Sequence, residues 1–432
     1  MAKWCRTLVV LFIAAGLLCG CGASARSLDT DNAVSASPTG GVNAPEQMDK
    51  PYLVLVSMDG FRWDYPDLGL TPTLSRIERE GVRAERLLPV FPTLTFPNHY
   101  SLVTGLYPAR HGLVANDFPI EGSDHWYRLR DRAAVENGRY YRGEPLWVTA
   151  ETQGMVAASF FWVGSEADVM GVRPSHWRPF SKDIPGTERV DQVLAWLAEP
   201  AETRPHFYTL YFEEVDDYGH WHGPDSEEAR QAIRRVDGYL GRLLDGIESL
   251  PHADQVNLVI VSDHGQGGYH PSARPLVLDS VISLDGVTPV DGGSYLFLYL
   301  DAPDPLRAAR MRDHINQHWQ HGQAMMLEDV PELWQLTRDP RFPDLLLIAD
   351  AGYGVISSPE MRKKITAGDH GWRPEDPDMH GIFLARGPAF RQGARIGPVR
   401  NVDLHPLLVR LLGLSPPAIS DGDPNALNEA LR

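Results

Sequence analysis

Cysteine is almost absent from this chain of 432 residues. The three cysteines are Cys5, Cys19 and Cys21, and all of them precede residue 22. The remaining sequence can form no disulfide, so it must be held together by a hydrophobic core, which its length allows. The same absence excludes a cysteine nucleophile, zinc sites with thiolate ligands and the cysteine-derived nucleophile of many sulfatases.

Positive charge is also scarce. The chain has 57 aspartates and glutamates against 40 lysines and arginines, which gives a formal net charge of −17. Binding of a nucleic-acid polymer depends on clustered lysine and arginine, so we expect no such partner. Short anionic substrates remain compatible with this charge, because bound metal ions reverse it locally.

Long apolar runs are few as well. The first, Leu8–Leu18, follows a basic start and precedes small residues, which is the layout of a secretory signal peptide. It is too short to predict a membrane span. Leu18-Cys19-Gly20-Cys21 resembles a bacterial lipobox with Cys21 as the lipidated residue, while Ala23-Ser24-Ala25 offers an ordinary cleavage site. We therefore expect a signal peptide of the lipoprotein type over residues 1–21, and an exported protein that is periplasmic or lipid-anchored in the cell envelope.

Residues 22–50 contain few large apolar side chains and are rich in Ser, Gly, Pro and Asn. Such a segment cannot bury enough surface to fold alone, which predicts a flexible linker. The chain as a whole is 43% hydrophobic, so residues 51–432 can bury a large core. Length alone permits two or three domains or one large α/β unit. The Pro-rich end from Ser415 predicts a poorly constrained tail.

From residue 51 onward, short apolar runs alternate with helical patterns. This alternation predicts an α/β fold with a mostly parallel central sheet and helices on both faces. The clearest helix is expected from Ser226 to Ile247, where apolar residues recur every three or four positions. The strand candidates are residues 52–58, 156–161, 207–212, 257–262, 295–300, 345–349 and 382–385.

Carboxylates and imidazoles follow several of these strands. Asp59 comes directly after the first strand, and the pair Asp263-His264 follows the strand that ends near residue 262. Asp216 and His220 are four residues apart, which places both on one face of a helix, although a capping aspartate and a surface histidine give the same pattern. Ligands collect beyond the carboxyl ends of parallel strands, and this residue set suits catalytic zinc. The pattern predicts a metallohydrolase.

Four motifs occur in order along the chain. They are PTLTFPNHYSLVTGLYPARHGLVAN at residues 92–116, EEVDDYGHWHGP at 213–224, SDHG at 262–265 and GDHGW at 368–372. Together they resemble the nucleotide pyrophosphatase/phosphodiesterase family of the alkaline phosphatase superfamily, over about residues 51–414. The resemblance implies an alkaline-phosphatase-like fold and a phosphodiesterase catalytic domain over residues 51–432.

The resemblance also implies two zinc ions. One would be held by Asp216, His220 and His370. The other would be held by Asp59, Asp263 and His264, together with the side-chain oxygen of Thr95.

By the same resemblance, Thr95 is the nucleophile and carries a covalent phosphoryl group during the reaction. Thr93 is the competing candidate, but the family places its nucleophile directly before Phe-Pro-Asn-His. The amide of Phe96 and the side chain of Asn116 would donate to a phosphoryl oxygen. The Phe96 ring would favour an organic ester group, and hence diesters over simple monoesters.

The implied function is that of an exported two-zinc phosphodiesterase or pyrophosphatase. It would hydrolyse phosphodiester or pyrophosphate bonds of a small nucleotide-type substrate and release nucleoside monophosphates. A lipid or choline-head-group phosphodiesterase on the same scaffold is the enzymatic alternative. A lipid-anchored binding protein without activity is the alternative from another class, and the sequence points to no protein partner.

Overall fold

A sheet of eight strands runs through the centre of the protein. The computed structural model describes residues 37–120, 125–337 and 339–432, so the predicted signal peptide, Cys21 and the alternative cleavage site lie outside the described residues. The described strands are β1 (Tyr52–Met58), β2 (Val82–Ala84), β3 (Leu87–Leu88), β4 (Asp117–Pro119), β5 (Trp126–Arg128), β6 (Ala157–Phe160), β7 (His176–Trp177), β8 (Phe207–Phe212), β9 (Val256–Val261), β10 (Gly267–Gly268), β11 (Leu276–Val277), β12 (Val287–Asp291), β13 (Tyr295–Leu300), β14 (Gly322–Met325), β15 (Leu345–Ala349), β16 (Val355–Ile356), β17 (Gly368–Asp369), β18 (Phe383–Arg386), β19 (Ala394–Ile396) and β20 (Val399–Arg400).

The α-helices of the described ranges alternate with these strands. They are α1 (Pro72–Glu80), α2 (Thr95–Thr104), α3 (Pro108–His111), α4 (Arg132–Val135), α5 (Leu146–Thr152), α6 (Gly186–Leu197), α7 (Glu214–His222), α8 (Glu227–Glu248), α9 (Pro305–His318) and α10 (Leu404–Leu412). The predicted helix from Ser226 is α8, and the Ser226 side chain caps it by accepting from the Ala229 amide. Within the described ranges, we find no helix long and apolar enough to cross a bilayer.

The central sheet has the strand order β19-β2-β18-β9-β1-β8-β6-β7. β9, β1, β8, β6 and β7 run parallel to one another, and β18 is antiparallel to both β9 and β2. The prediction of a mostly parallel sheet is therefore confirmed. The carboxyl ends of β9, β1 and β8 meet at one edge of the sheet.

Helices cover both faces of this sheet. Leu53 and Leu55 of β1 lie in a hydrophobic layer with residues of α2, α5 and α10. Val54 and Val56 lie in another layer with residues of α1, α6 and α8. Successive strand residues face opposite sides of a sheet, so every side chain of β1 is buried. This double burial explains why the strand is one continuous apolar run.

A separate antiparallel sheet contains two strands that the sequence assigned to the central one. β13 and β15 pair antiparallel within the order β12-β13-β15-β14, so the prediction is wrong for residues 295–300 and 345–349. Leu296 and Leu298 pack in a cluster with α9, while Phe297 packs with the main core. A strand buried on both faces is a continuous apolar run in either kind of sheet, so the sequence did not separate the two.

Both ends of the described chain pack against the domain. Residues 37–50, which composition assigned to the linker, are tied to it by Asn43, whose side-chain amide donates to the carbonyls of Ala201 and Arg204. At the other end, Ser415 exchanges two hydrogen bonds with Gln153, each 2.9 Å long. Buried apolar residues near the carboxyl terminus anchor the segment that follows Ser415, so the expectation of a poorly constrained tail is wrong.

We predict that Asn43→Ala lowers the free energy of unfolding by about 3 kcal/mol, because it removes three hydrogen bonds and leaves buried backbone groups without partners. These bonds are its two donations and the one that it accepts from the Val156 amide at 2.8 Å. Chemical denaturation measures the effect. Val42→Ala is the matched control, because Val42 is 52% exposed and its truncation should change stability by about 0.5 kcal/mol or less. Equal effects of the two substitutions would show that residues 37–50 are not part of the folded domain.

Candidate metal centre and active site

Three carboxylates meet where β9, β1 and β8 end. Asp59 directly follows β1, and one residue separates Asp263 from the end of β9. Asp216 lies in the first turn of α7, just after β8. Gly60 permits the close approach of Asp216, because it adopts a φ of 66° and a Cβ at this position would lie 2.9 Å from the Cβ of Asp216. The Asp-Gly pair is thus needed for the shape of the site as well as for its chemistry.

The first predicted ligand set is brought together. One ligand atom from each of Asp216, His220 and His370 lies within 4.8 Å of the other two. His220 Nε2 is 3.4 Å from Asp216 Oδ2, since α7 presents both residues on one face. His370 follows β17, and its Nε2 lies 3.9 Å from Asp216 Oδ1.

The second predicted set also meets, with two further residues beside it. His264 Nε2 lies 3.0 Å from Asp263 Oδ2 and 3.6 Å from Asp59 Oδ1. One ligand atom from each of Asp59, Asp216 and His264 lies within 4.8 Å of the other two. The same is true of Asp59, His99 and Asp263. The two sets therefore form one continuous cluster, with Asp216 between them.

Each predicted histidine ligand has its Nδ1 atom fixed by a backbone carbonyl. The three carbonyls belong to Gly368 for His220, Gly265 for His264 and Thr93 for His370, each at 2.8 Å. A carbonyl only accepts, so Nδ1 carries a proton, and in the neutral ring Nε2 is the atom that keeps a lone pair. This arrangement orients an imidazole for metal binding.

Two carboxylate oxygens in the cluster have no hydrogen-bond donor. They are Asp59 Oδ1 and Asp263 Oδ2, on residues only 2% and 1% exposed. Asp263 Oδ2 faces the lone pair of His264 Nε2, and two such acceptors repel each other unless a cation or proton lies between them. Buried unpaired carboxylate oxygens are unfavourable, so the donor set fits divalent cations. Oxygen and imidazole ligands without thiolates suit zinc at a catalytic site.

Burial and mutual repulsion shift the pKa values in the cluster. Burial raises the pKa of Asp59 well above its ordinary value, and the carboxylates of Asp263 and Asp216 raise it further. Burial also acts to raise the pKa of Asp263, but the His264 and His99 rings, when they carry a second proton in the metal-free cluster, outweigh it and hold this pKa well below the ordinary value. Burial lowers the pKa of His370, which keeps the ring neutral and able to bind a metal.

Thr95 and Thr93 have different surroundings. Thr95 opens α2, and its Oγ1 lies 3.4 Å from His264 Nε2, beside the cluster. The Thr93 hydroxyl is fully buried and donates to the Trp372 carbonyl at 2.8 Å. Thr95 is thus the hydroxyl that faces the ligands.

The Phe96 amide and Asn116 interact with each other. The amide donates to Asn116 Oδ1 at 3.0 Å, whereas the sequence-based expectation had both groups donate to a phosphoryl oxygen. The reason is that the first amides of a helix lack partners within the helix, and Asn116 supplies one. Asn116 keeps its NH₂ group as a donor. The Phe96 ring lies edge-on to Tyr127, with 6.2 Å between the ring centroids.

Three further residues contact the candidate ligands and were not predicted from the sequence. Tyr211 donates its hydroxyl to Asp59 Oδ2 at 2.6 Å. His99 Nδ1 lies 3.2 Å from Asp263 Oδ2. The Gln266 side chain donates to Asp216 Oδ1 at 3.1 Å. His99 is four residues after Thr95 on α2, a spacing that signals a shared helix face, but no sequence signal marks Tyr211.

Comparison with known proteins identifies related chains. Residues 53–373 match the family model for type I phosphodiesterase / nucleotide pyrophosphatase. Ectonucleotide pyrophosphatase/phosphodiesterase family member 1 of Homo sapiens is 32% identical, over 91% of this chain and 44% of its own length. Venom phosphodiesterase of Naja atra is 30% identical, over 90% of this chain and 47% of its own length. The chain thus spans less than half the length of these relatives.

A solved structure shows the same fold. It is murine ectonucleotide pyrophosphatase/phosphodiesterase 5, as an inactive threonine-to-alanine variant in complex with AMP. Its TM-score is 0.82 at 28% sequence identity, and the match covers 89% of this chain and all of that chain. The expected alkaline-phosphatase-like α/β fold is confirmed.

We predict that metal-free protein loses stability as pH rises from about 4 to 6, in part through Asp369. Burial raises the pKa of Asp369 to about 6, so the folded state keeps a proton that the unfolded state has already released in this window. At about 1.4 kcal/mol per pKa unit, the loss amounts to about 3 kcal/mol. Asp369→Asn should remove this part of the slope in denaturation experiments with chelator. The exposed Asp350→Asn should keep it, and an unchanged slope in Asp369→Asn would contradict the assignment.

Proposed function

The chain belongs to the type I phosphodiesterase / nucleotide pyrophosphatase family of hydrolases, and we propose that it is an exported enzyme with two zinc ions that cleaves nucleotide phosphodiester or pyrophosphate bonds. Nucleoside monophosphates are the proposed products. The observation that carries this proposal is the position of the Thr95 hydroxyl beside a cluster of imidazole Nε2 atoms and unpaired carboxylate oxygens.

We assign two zinc ions to the cluster. Asp216, His220 and His370 would hold one, and Asp59, Asp263 and His264 would hold the other with Thr95 Oγ1. Bound zinc would offset the negative charge of the phosphoryl oxygens and lower the pKa of the threonine hydroxyl. The fixed Nδ1 protons and the unpaired oxygens support this assignment.

Thr95 is the proposed nucleophile. Its hydroxyl loses a proton, and Oγ1 forms a bond to phosphorus while the bond from phosphorus to the leaving oxygen breaks. The leaving oxygen takes up a proton. Water then hydrolyses the threonyl-phosphoryl ester, which releases the nucleoside monophosphate and restores the hydroxyl. The inactive threonine-to-alanine variant of the murine relative, which binds AMP, supports a threonine in this role.

Asn116 and Phe96 would orient the substrate. The NH₂ group of Asn116 is the proposed donor to a phosphoryl oxygen, because its Oδ1 is already engaged by the Phe96 amide. This bond fixes the direction of the Asn116 side chain. The half-buried Phe96 ring supplies an apolar surface for the organic group of the ester.

A short basic segment, three residues before a contact with the centre, favours an anionic substrate. Arg362, Lys363 and Lys364 are consecutive and exposed at the end of a 3₁₀ helix. The chain that follows contacts the centre, because the Ala367 amide donates to the His220 carbonyl at 2.9 Å. Three cations attract the multiply charged phosphates of a nucleotide more strongly than a phosphocholine ester, whose own ammonium offsets the charge of its phosphate. They favour a nucleotide substrate over a choline-head-group ester.

The non-catalytic alternative has less support. A binding protein on this scaffold does not need a nucleophile, yet Thr95 is present and faces a complete set of candidate ligands.

Export is proposed on the leader sequence and on the relatives' names, which describe ectonucleotide and venom enzymes. The lipid anchor at Cys21 remains a prediction. Mass spectrometry of the mature amino terminus distinguishes a lipidated Cys21 from cleavage after Ala25.

We predict about two zinc ions per chain in elemental analysis of the purified protein, and complete loss of activity on chelation. His220→Ala should lose one zinc, because it removes one of three ligands of the first ion. His314→Ala is the matched control, since His314 is an exposed histidine on α9 and should leave both zinc ions bound. One zinc equivalent in the wild type, or full activity after chelation, would overturn the two-metal proposal.

We predict that Thr95→Ala lowers turnover by a factor on the order of 10³ or more, because it removes the nucleophile. Zinc content and folding should be preserved, because Asp59, Asp263 and His264 still hold the second ion. Thr93→Ala should lower turnover less than about tenfold, because its hydroxyl is buried against the Trp372 carbonyl. Steady-state kinetics and circular dichroism measure both. If Thr93→Ala is the inactivating change, the nucleophile is misassigned.

We predict a higher kcat/KM for a nucleoside triphosphate than for nitrophenylphosphocholine. Replacing Arg362, Lys363 and Lys364 together by Gln should lower kcat/KM for the triphosphate about tenfold and leave the choline ester unaffected. Arg234→Gln, an exposed change on α8, is the control and should alter neither value. A wild-type preference for the choline ester would favour the head-group alternative.

A further inference from the structure

The two oxygens of Asp59 have different surroundings. Oδ2 accepts a hydrogen bond of 2.6 Å from the Tyr211 hydroxyl. Oδ1 accepts none, and it lies 3.6 Å from His264 Nε2, which has its lone pair available. One oxygen of this carboxylate is therefore engaged by the protein, and the other is directed into the cluster.

Tyr211 is held in place by the sheet and by aromatic neighbours. On β8 it lies opposite Ser57 of β1, two residues before Asp59, so the strand register brings its hydroxyl to the end of β1. Its ring packs edge-on against His99 and Phe180, with centroid distances of 5.2 and 5.9 Å. The ring therefore has little freedom to turn away from Asp59.

A buried arginine fixes the backbone of the same residue. Arg189 donates to the Tyr211 carbonyl at 2.9 Å and forms a two-armed ion pair with Glu213 at 2.5 and 2.8 Å. Both charged side chains are less than a tenth exposed. These contacts hold the end of β8 in place. The chain continues directly from there into α7, which carries Asp216.

We propose that Tyr211 is a positioning residue for the second metal ion, the one assigned to Asp59, Asp263 and His264. Its hydroxyl donates to Asp59 Oδ2, so Oδ1 is the single oxygen that Asp59 presents to the ion. The inference rests on the proposed metal site. A carboxylate with two free oxygens samples several orientations, and fixing one oxygen lowers the entropy lost on metal binding. A neutral hydroxyl does this without adding a positive charge that would repel the cation. A lysine or arginine at this position would orient Asp59 but weaken metal binding.

The test is zinc binding by Tyr211→Phe, which removes one oxygen and keeps the ring. Tyr208→Phe is the matched control, because Tyr208 lies on the same strand, is fully buried and has a hydroxyl without a hydrogen-bond partner. Metal-free protein is titrated with zinc in the presence of a competing chelator. To separate the two ions, each substitution is also made in a His220→Ala background, where the second set of ligands remains.

Tyr211→Phe should weaken zinc binding at the second site by about 10- to 100-fold in both backgrounds, and the first site should be unaffected. The zinc concentration needed for half-maximal activity should rise by the same factor, with activity recovering at saturating zinc. Tyr208→Phe should match its parent in every measurement. Unchanged zinc affinity in Tyr211→Phe, or an equal loss in Tyr208→Phe, would overturn the positioning role. A protein that binds zinc as expected but hydrolyses no phosphodiester would contradict the proposed function instead.

Discussion

Mutual repulsion among three carboxylates at the ends of three neighbouring strands, two of them buried, governs the arrangement of the site. Asp59, Asp216 and Asp263 repel one another where water cannot screen them. Imidazoles surround these carboxylates, and backbone carbonyls hold their Nδ1 protons, so the Nε2 atom of each neutral ring can bind the cation that would offset the repulsion. A protein without cations must keep protons on part of the cluster instead, as the raised pKa of Asp59 indicates.

The same constraint explains which parts of the site are held rigidly. The carboxylates stand at strand ends and at the start of α7, positions fixed by the sheet and by the buried pair of Arg189 and Glu213. Groups that would select the substrate lie farther out, in the basic segment that ends at Lys364 and around the Phe96 ring.

The sequence predicted the parts of the fold whose burial is complete. β1 and β8 have the bounds expected from their apolar runs, and α8 begins and ends within one residue of the expected bounds. The seven candidate ligands could be named because their motifs occur in order and because polar residues follow buried strands. The sequence could not predict that β13 and β15 form a separate sheet, because strand pairing depends on contacts between distant parts of the chain. Tyr211 was missed for the same reason, since its role follows from the register between β8 and β1.

A crystal structure of the zinc-loaded protein, with anomalous scattering recorded at the zinc edge, would show directly whether the cluster holds two zinc ions. We expect two anomalous peaks. One should lie within bonding distance of Asp216, His220 and His370, and the other of Asp59, Asp263 and His264, with Thr95 Oγ1 beside it and Asp59 bound through Oδ1 alone. A single peak, or a zinc ion bound by His99 in place of His264, would contradict a two-zinc centre with these ligands.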